Sequence, residues 1–358
     1  MKSTSPVATE VGSLFEDMAE VAHRVRARAE RDLEFAEFDE GVGGGSPERE
    51  VRQAVRAARG QALLEGARGL EKLAADAGAN LTPAESFGLE AIVLLVARPA
   101  LLVQAGGFAS LASLPQEWSM LDAHRTKIQE SIRRVGRIEL TGHPDLEWAG
   151  TGFLVAPDVV MTNRHVAIEF ARRGDSGCSF LSGRSCGLDL LREAGNPAEM
   201  RFTVTEVLGI HDDDYVDMAL LRVSPAGEGG STPLPPPLEL MATSPDEAIG
   251  RPVYVVGYPA WDGRRNEPAA MSRIFTDVYN VKRLQPGVTT RTPKPETAFG
   301  HDCSTLGGNS GSPVIDLTTH HVMGLHFGGR YGRGNYALPM WQLVDDPMVC
   351  AAGLNYVG

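Results

Sequence analysis

The chain has 358 residues, 42% hydrophobic and 22% charged, an ordinary globular balance with room for two or three domains. Its formal net charge of −12, with no block of basic residues, argues against nucleic acid or an anionic membrane surface as the main partner. Four cysteines do not make a disulfide framework, and the N-terminus has no apolar run of signal-peptide length, so a cytoplasmic location is expected. Cys178 and Cys186, flanking a short polar loop, are the pair that would bond on export.

The first third predicts helices. Residues 10 to 38 are rich in Ala, Glu and Arg, and GVGGGSP at 41 to 47 ends that run. Pro47 suits the first turn of a second helix. Along it Val51, Val55, Ala58, Ala62, Leu70, Leu73 and Ala77 recur every three or four residues, one apolar face. Gly60, Gly66 and Gly69 each cost about 1 kcal/mol relative to alanine, so this helix needs packing partners. Thr82-Pro83-Ala84-Glu85 reads as a capping box opening a third helix that ends before Pro99. Its apolar stretch is too short to span a bilayer. A fourth helix is expected from about Pro115 to Arg134.

From residue 135 short β-rich runs alternate with Gly, Pro, Asn and Asp: GRIEL, TGFLVAP, VVMTN, RFTVTEVLGI, YVDMALLRV, RPVYVVGYP, SRIFTDVYNV, GSPVIDL and HHVMGLHFGG. Such a series indicates an antiparallel barrel or sandwich. STPLPPPLEL at 231 to 240 interrupts it, and its prolines suit a connection between two β-lobes. The expected organisation is a helical region at 1–134 and a two-lobed all-β domain at 135–358.

Near the C-terminus HDCSTLGGNSGSPV, residues 301 to 314, is too rich in glycine for a helix or a strand and must be a special turn. Gly308-Asn309-Ser310-Gly311-Ser312 lacks the G-x-S-x-G of an α/β-hydrolase elbow. Upstream, Thr162-Asn163-Arg164-His165 ends a β-run where a histidine can face a cleft. In VDMALLRV, Asp217 interrupts an apolar strand, and a buried carboxylate needs a hydrogen-bond partner such as a histidine. His143, His211, His320 and His321 stand in no motif.

TGFLVAPDVVMTNRHV, VDMALLRV and GGNSGSPV together resemble the chymotrypsin-fold (trypsin-like) serine peptidases, in their bacterial glutamyl-endopeptidase-like branch, over roughly residues 137 to 345. The resemblance implies an antiparallel double β-barrel preceded by the helical region. It also implies a serine endopeptidase with Ser310 as nucleophile, His165 as general base and Asp217 fixing its tautomer. The Gly308 and Ser310 N–H groups would form the oxyanion hole, each donor worth ~3 kcal/mol in the transition state. No cofactor or metal is implied, and the partner is a protein or peptide substrate.

A trypsin-like preference for Arg or Lys requires an aspartate six residues before the serine, where this chain has Ser304. Glutamyl endopeptidases are similar at Thr305 and at Leu325-His326-Phe327-Gly328-Gly329. The implied preference is Glu, less so Asp, held by the Thr305 hydroxyl and by His326, charge-assisted when that ring is protonated; the alternative is a packed strand histidine and a pocket for something small or apolar. Phe327, Gly328 and Gly329 would pair with extended substrate.

The chain departs from the secreted members of that branch in lacking a signal and an Arg-Ile-Val-Gly-Gly activation site. Residues 1–134 are expected to act as a regulator, a prosegment or a partner-binding region. Glu37 and Glu40, ahead of the glycine run, are expected self-cleavage sites. The competing reading is a catalytically silent, protease-like interaction module with a helical adaptor.

Overall fold

A computed structural model of the chain describes residues 17–40, 47–82, 84–85, 89, 98–108, 118–174, 177–212, 216–230, 232–261, 275, 277–292, 297–330 and 334–358. The described residues fall into two compact units. One is drawn from Met1–Pro99, Leu114–Glu117 and Glu267–Asp277, the other from Ala100–Ser113, Trp118–Asn266 and Val278–Gly358.

In the first unit, helices α1 (Met18–Glu40) and α2 (Pro47–Ala75) pack antiparallel, with Pro47 opening α2 as expected. Val21, Ala22, Val25 and Ala29 meet Leu63, Ala67, Leu70 and Leu73, with Leu89 closing the core. Of the expected stripe, Leu70 and Leu73 are buried, whereas Ala77 lies exposed beyond the end of the helix. Two of the costly glycines have a packing reason. A Cβ at Gly60 would lie 2.7 Å from Leu33 Cγ, and one at Gly69 would lie 3.1 Å from Leu89 Cγ. The capping box forms: Thr82 N–H donates to Glu85 Oε2 at 2.8 Å and Glu85 N–H to Thr82 Oγ1 at 3.1 Å. The rest of that third helix, like the glycine run before Pro47, lies largely outside the described residues. Glu37 and Glu40 sit in the last turn of α1. A protease takes its substrate extended, so this turn must unwind before either site can be cut.

The second unit holds two closed antiparallel barrels. The first contains β3 (Val135–Thr141), β4 (Trp148–Ala156), β5 (Val159–Thr162), β8 (Ser185–Asp189), β9 (Arg201–Ile210) and β10 (Ala219–Val223), closing in the order β10-β5-β4-β3-β8-β9. A separate hairpin, β6 (Ala171–Gly174) with β7 (Gly177–Phe180), lies between β5 and β8 in sequence. The second barrel contains β12 (Pro252–Gly257), β13 (Arg283–Thr290), β14 (Phe299–His301), β15 (Pro313–Asp316), β16 (Val322–Arg330) and β17 (Gly334–Pro339). It runs β12-β15-β16-β17-β14-β13 and closes through β12 and β13. The Pro-rich stretch lies between the barrels in sequence, as expected. The inward residues Leu154, Val160, Leu188, Phe202 and Leu221 fill the first barrel. Val253, Val255, Val314 and Met323 belong to the core of the second. All four cysteines are free, and no described helix is long and apolar enough to cross a membrane.

The structure departs from the sequence reading in several places. The division at 134/135 falls too late, because β1 (Leu101–Gln104) already pairs with β13, Leu101 opposite Leu284. The Arg283 guanidinium, buried against this segment, donates to the Ala100 carbonyl. The expected fourth helix becomes α3 (Met120–Ala123) and α4 (Arg125–Ile132), with Ile128 and Ile132 fully buried in the second unit. SRIFTDVYNV supplies no strand among its described residues, and the strand is the later RLQPGVTT. Pro286 fits there because β13 pairs with β1 at residues 283–284 and with β14 at 289–290. The proline sits in the gap between those partners, where its missing N–H leaves no ladder bond unmade.

If α4 belongs to this unit, Ile132→Ala should lower its stability by about 2–5 kcal/mol through transfer and cavity terms. Urea unfolding followed by near-UV circular dichroism tests this, and an unchanged transition would make α4 an appendage.

Candidate active site

Strand β5 ends at Thr162, and the chain turns at Asn163 into the single-turn helix α5 (Arg164–Ala167). Val166 and Ala167 anchor that turn in the barrel core, while the His165 side chain stays 45% exposed. Asn163 Nδ2 donates to the Asp217 carbonyl at 2.8 Å, tying this turn to the segment that carries the carboxylate. Asp217 accepts twice from His165: Oδ1 from the backbone N–H at 2.9 Å and Oδ2 from Nδ1–H at 2.6 Å. The first bond locates the carboxylate. The second fixes the tautomer and leaves the Nε2 lone pair on the far side of the ring. Asp217 is not inside a strand as expected, since β10 begins at Ala219. Its side chain is 21% exposed and is satisfied by His165 rather than by a polar strand neighbour.

The turn at 307–311 is fixed by its carbonyls. Gly307 O accepts from Ala260 N–H at 2.6 Å and Asn309 O from Ser312 N–H at 2.9 Å. Gly308 O accepts from Thr151 Oγ1 at 2.8 Å, and Ser310 O from Thr151 N–H at 2.8 Å. In a trans peptide the N–H points opposite its own carbonyl. Pinning Gly307 O and Asn309 O therefore aims the Gly308 and Ser310 N–H groups the other way. Neither N–H finds an acceptor among the described residues, whereas Asn309 N–H donates to Leu306 O and Gly311 N–H to His326 O. Positive φ values of 84° at Gly308 and 88° at Gly311 make the path one for glycine. The Ser310 hydroxyl makes no hydrogen bond among the described residues, and none links it to His165; hydrogen bonds of this kind tighten when substrate binds.

Sequence reasoning missed the supports of this turn. Trp148 packs on Gly308, so closely that a Cβ at 308 would overlap the indole and the Tyr258 carbonyl oxygen. The Arg137 guanidinium lies over the indole at 5.1 Å. Glu139 holds Arg137 in turn through Oε1 at 2.6 Å and Oε2 at 3.1 Å, and Asn280 O accepts from Arg137 at 3.0 Å. Trp148 and Arg137 belong to the first barrel, and the turn they back belongs to the second. Strand periodicity marks both only as strand residues; the pairing across barrels has no local signature.

The expected specificity residues lie together, but not as expected. Thr305 Oγ1 donates to Asn335 Oδ1 at 2.7 Å, and Asn335 Nδ2 donates to Cys303 O at 2.7 Å. Gly329 gives Asn335 its room, because a Cβ there would overlap the amide. His326 is 2% exposed and its Nδ1 lies 3.0 Å from His301 Nε2. Burial, with His165 nearby, lowers the His326 pKa to about 3, and burial holds His301 well below the ordinary histidine value. The expected protonated His326 is thus corrected: the ring is neutral because its charge would be stranded away from water. Phe327 stacks on Tyr336, and β15 pairs with β16 only as far as Leu325, opposite Pro313. Phe327, Gly328 and Gly329 therefore keep one edge without a β15 partner. His301 stands at the head of the HDCSTLGGNSGSPV run, where a second histidine near the turn was a usable signal. Asn335 reaches the site only through its register opposite His301. No three His, Cys, Asp or Glu side chains converge as a metal cluster among the described residues.

Residues 150–325 match the family of the trypsin-like peptidase domain. A probable serine protease of Lysobacter enzymogenes is 29% identical over 313 residues, covering 79% of this chain and 80% of that protein. A glutamyl endopeptidase of Staphylococcus epidermidis is 25% identical over 190 residues, covering 51% of this chain and 54% of that protein. Among solved structures, a protease of M. tuberculosis in its active form is 22% identical at a TM-score of 0.41, over 65% of this chain and 86% of that one.

Two outcomes follow from this geometry. Gly308→Ala should displace the turn and lower kcat by about 10²–10³, the cost of losing one aimed donor, with a smaller change in KM. Steady-state kinetics on a peptide substrate reads this. The neutral histidines make a second, acid-side outcome. His301, His320 and His326 are all lowered, chiefly by burial, His320 to about 4. The unfolded chain binds protons on these rings from about pH 6.5 downward and the folded chain does not, so stability is complete above that pH and is lost as pH falls toward 4. Urea midpoints should drop across that window; a flat profile would mean that the rings are charged in the folded state.

Proposed function

We propose that this chain, a serine endopeptidase carrying a trypsin-like peptidase domain, works through Ser310, His165 and Asp217. His165 Nε2 takes the Ser310 hydroxyl proton as the oxygen attacks the substrate carbonyl, and returns it to the leaving amine. Asp217 holds the tautomer and stabilises the imidazolium. The tetrahedral oxyanion sits against the Gly308 and Ser310 N–H groups, and water then hydrolyses the acyl-enzyme. The observation that carries this reading is the set of pinned carbonyls: a turn with four consecutive acceptors engaged and two N–H groups left over suits an oxyanion and little else.

Residues Phe327 to Gly329 receive the substrate as an added strand on their open edge. The side chain before the cut bond is one of glutamate length with a polar end, Glu among them and Asp less readily, reaching Thr305 and His326. The distant likeness to a glutamyl endopeptidase supports this choice. Because His326 is neutral, its Nε2–H serves as a hydrogen-bond donor and not as a counter-charge. The helical unit acts as a regulator or a protein-docking part, a role its own folded core supports.

A fluorophosphonate probe tests the mechanism on the full-length protein. Labelling is expected in the wild type and lost in Ser310→Ala. Asp217→Asn should lower kcat about 10⁴-fold, the cost of the wrong tautomer. A wild-type chain that neither labels nor cleaves peptides would instead be the silent interaction module.

A further inference from the structure

The donors and acceptors of the specificity residues are fixed by a chain of hydrogen bonds that starts at a backbone carbonyl. Cys303 O can only accept, so the Asn335 side chain must present its Nδ2 there, at 2.7 Å. Its Oδ1 is then turned to Thr305, where it accepts the Thr305 hydroxyl proton at 2.7 Å. A hydroxyl that has spent its one proton offers a ligand only lone pairs.

The histidine pair is fixed by an orphaned atom. His301 Nδ1 is buried and has no hydrogen-bond partner among the described residues. Orphaned buried N–H groups are rarer in folded proteins than under-satisfied acceptors, so the unpartnered Nδ1 is assigned the lone pair. His301 therefore carries its proton on Nε2 and donates to His326 Nδ1 at 3.0 Å. His326 is left with its proton on Nε2, a single donor. Adding a proton to His326 Nδ1 would drive the shared hydrogen back to His301 Nδ1, which has nowhere to send it.

Thr305 and His326 thus present one acceptor and one donor. We propose that the pocket is built for a carboxamide, and that the enzyme cleaves after Gln at least as readily as after Glu. The γ-carbonyl oxygen of Gln accepts from His326 Nε2–H, and its NH2 donates to Thr305 Oγ1. A glutamate of the same length satisfies His326 but sets a carboxylate oxygen against the Thr305 lone pairs, with no cation from His326 to offset the repulsion. Asn335, which no motif marked, is the residue that orients Thr305.

This inference rests on the peptidase reading and on Thr305 and His326 forming the pocket. The test uses full-length protein and four otherwise identical peptides with Gln, Glu, Met or Ala before the cut bond. Values of kcat/KM at pH 8 are taken for the wild type and for Thr305→Val. The expected result is a Gln/Glu ratio of one or more in the wild type, Met at least tenfold below Gln, and a ratio at least tenfold lower in Thr305→Val. Glu favoured over Gln would overturn the proposal, as would a ratio that Thr305→Val leaves unmoved. So would Met cut as well as Gln, which would make the pocket a reader of size. Fluorophosphonate labelling of the same samples separates the failures: labelling without cleavage after Gln or Glu refutes the pocket, and no labelling refutes the peptidase.

Discussion

The two bonds from Thr151 are the contact on which the site depends. Its N–H holds Ser310 O and its hydroxyl holds Gly308 O, while its own carbonyl accepts from Thr162 Oγ1 at 2.7 Å. Thr151 lies in β4 of the first barrel and the turn at 307–311 leads into β15 of the second, so one buried threonine joins the halves at the candidate site. Thr162, which steadies it, directly precedes the turn that carries His165. His165 and Ser310, the candidate base and nucleophile, are therefore referenced to the same strand pair. Neighbouring strand residues hold relative positions far more tightly than two loops could.

Around that contact the supports are graded by burial. Trp148 and the Arg137–Glu139 pair stand behind Gly308 on one side, and Ala260 holds Gly307 from another. Arg137 and Glu139 are nearly sealed from water, and a buried ion pair contributes little net stability once desolvation is counted. Breaking it by removing one partner is costly, because the other charge is left alone. Such a pair suits a role in holding one geometry, and here the geometry held is that of an indole against a glycine.

Much of the site was legible in the sequence because its chemistry clusters locally. GGNSGSPV must be a turn since glycine alone tolerates its φ values, and TNRHV ends a strand where a side chain can leave the barrel. The fold class followed from short runs and turn residues. What escaped were features that exist only through long-range pairing. LLVQ at 101–104 is a strand because β13 offers it an edge, and nothing in four apolar-to-polar residues announces that edge. RLQPGVTT is a strand despite Pro286 because the proline falls between two partners. The neutral state of His326 could not be read without its burial, nor the direction of the Thr305 hydroxyl without Asn335. In each case the sequence names the residue type, and the register decides its chemistry.

The first and last strands of the peptidase unit are both sewn into its body. β1 lies on β13, and β18 (Tyr356–Val357) lies parallel to β11 (Leu240–Met241), with Asn355 N–H donating to Val155 O in the first barrel. A concentrated endopeptidase is always surrounded by copies of itself, and an attacking copy needs several residues of slack chain to seat in its cleft. Strands tied in at both margins supply none until much of the unit opens. At these two margins self-digestion waits on that large opening and not on local fraying.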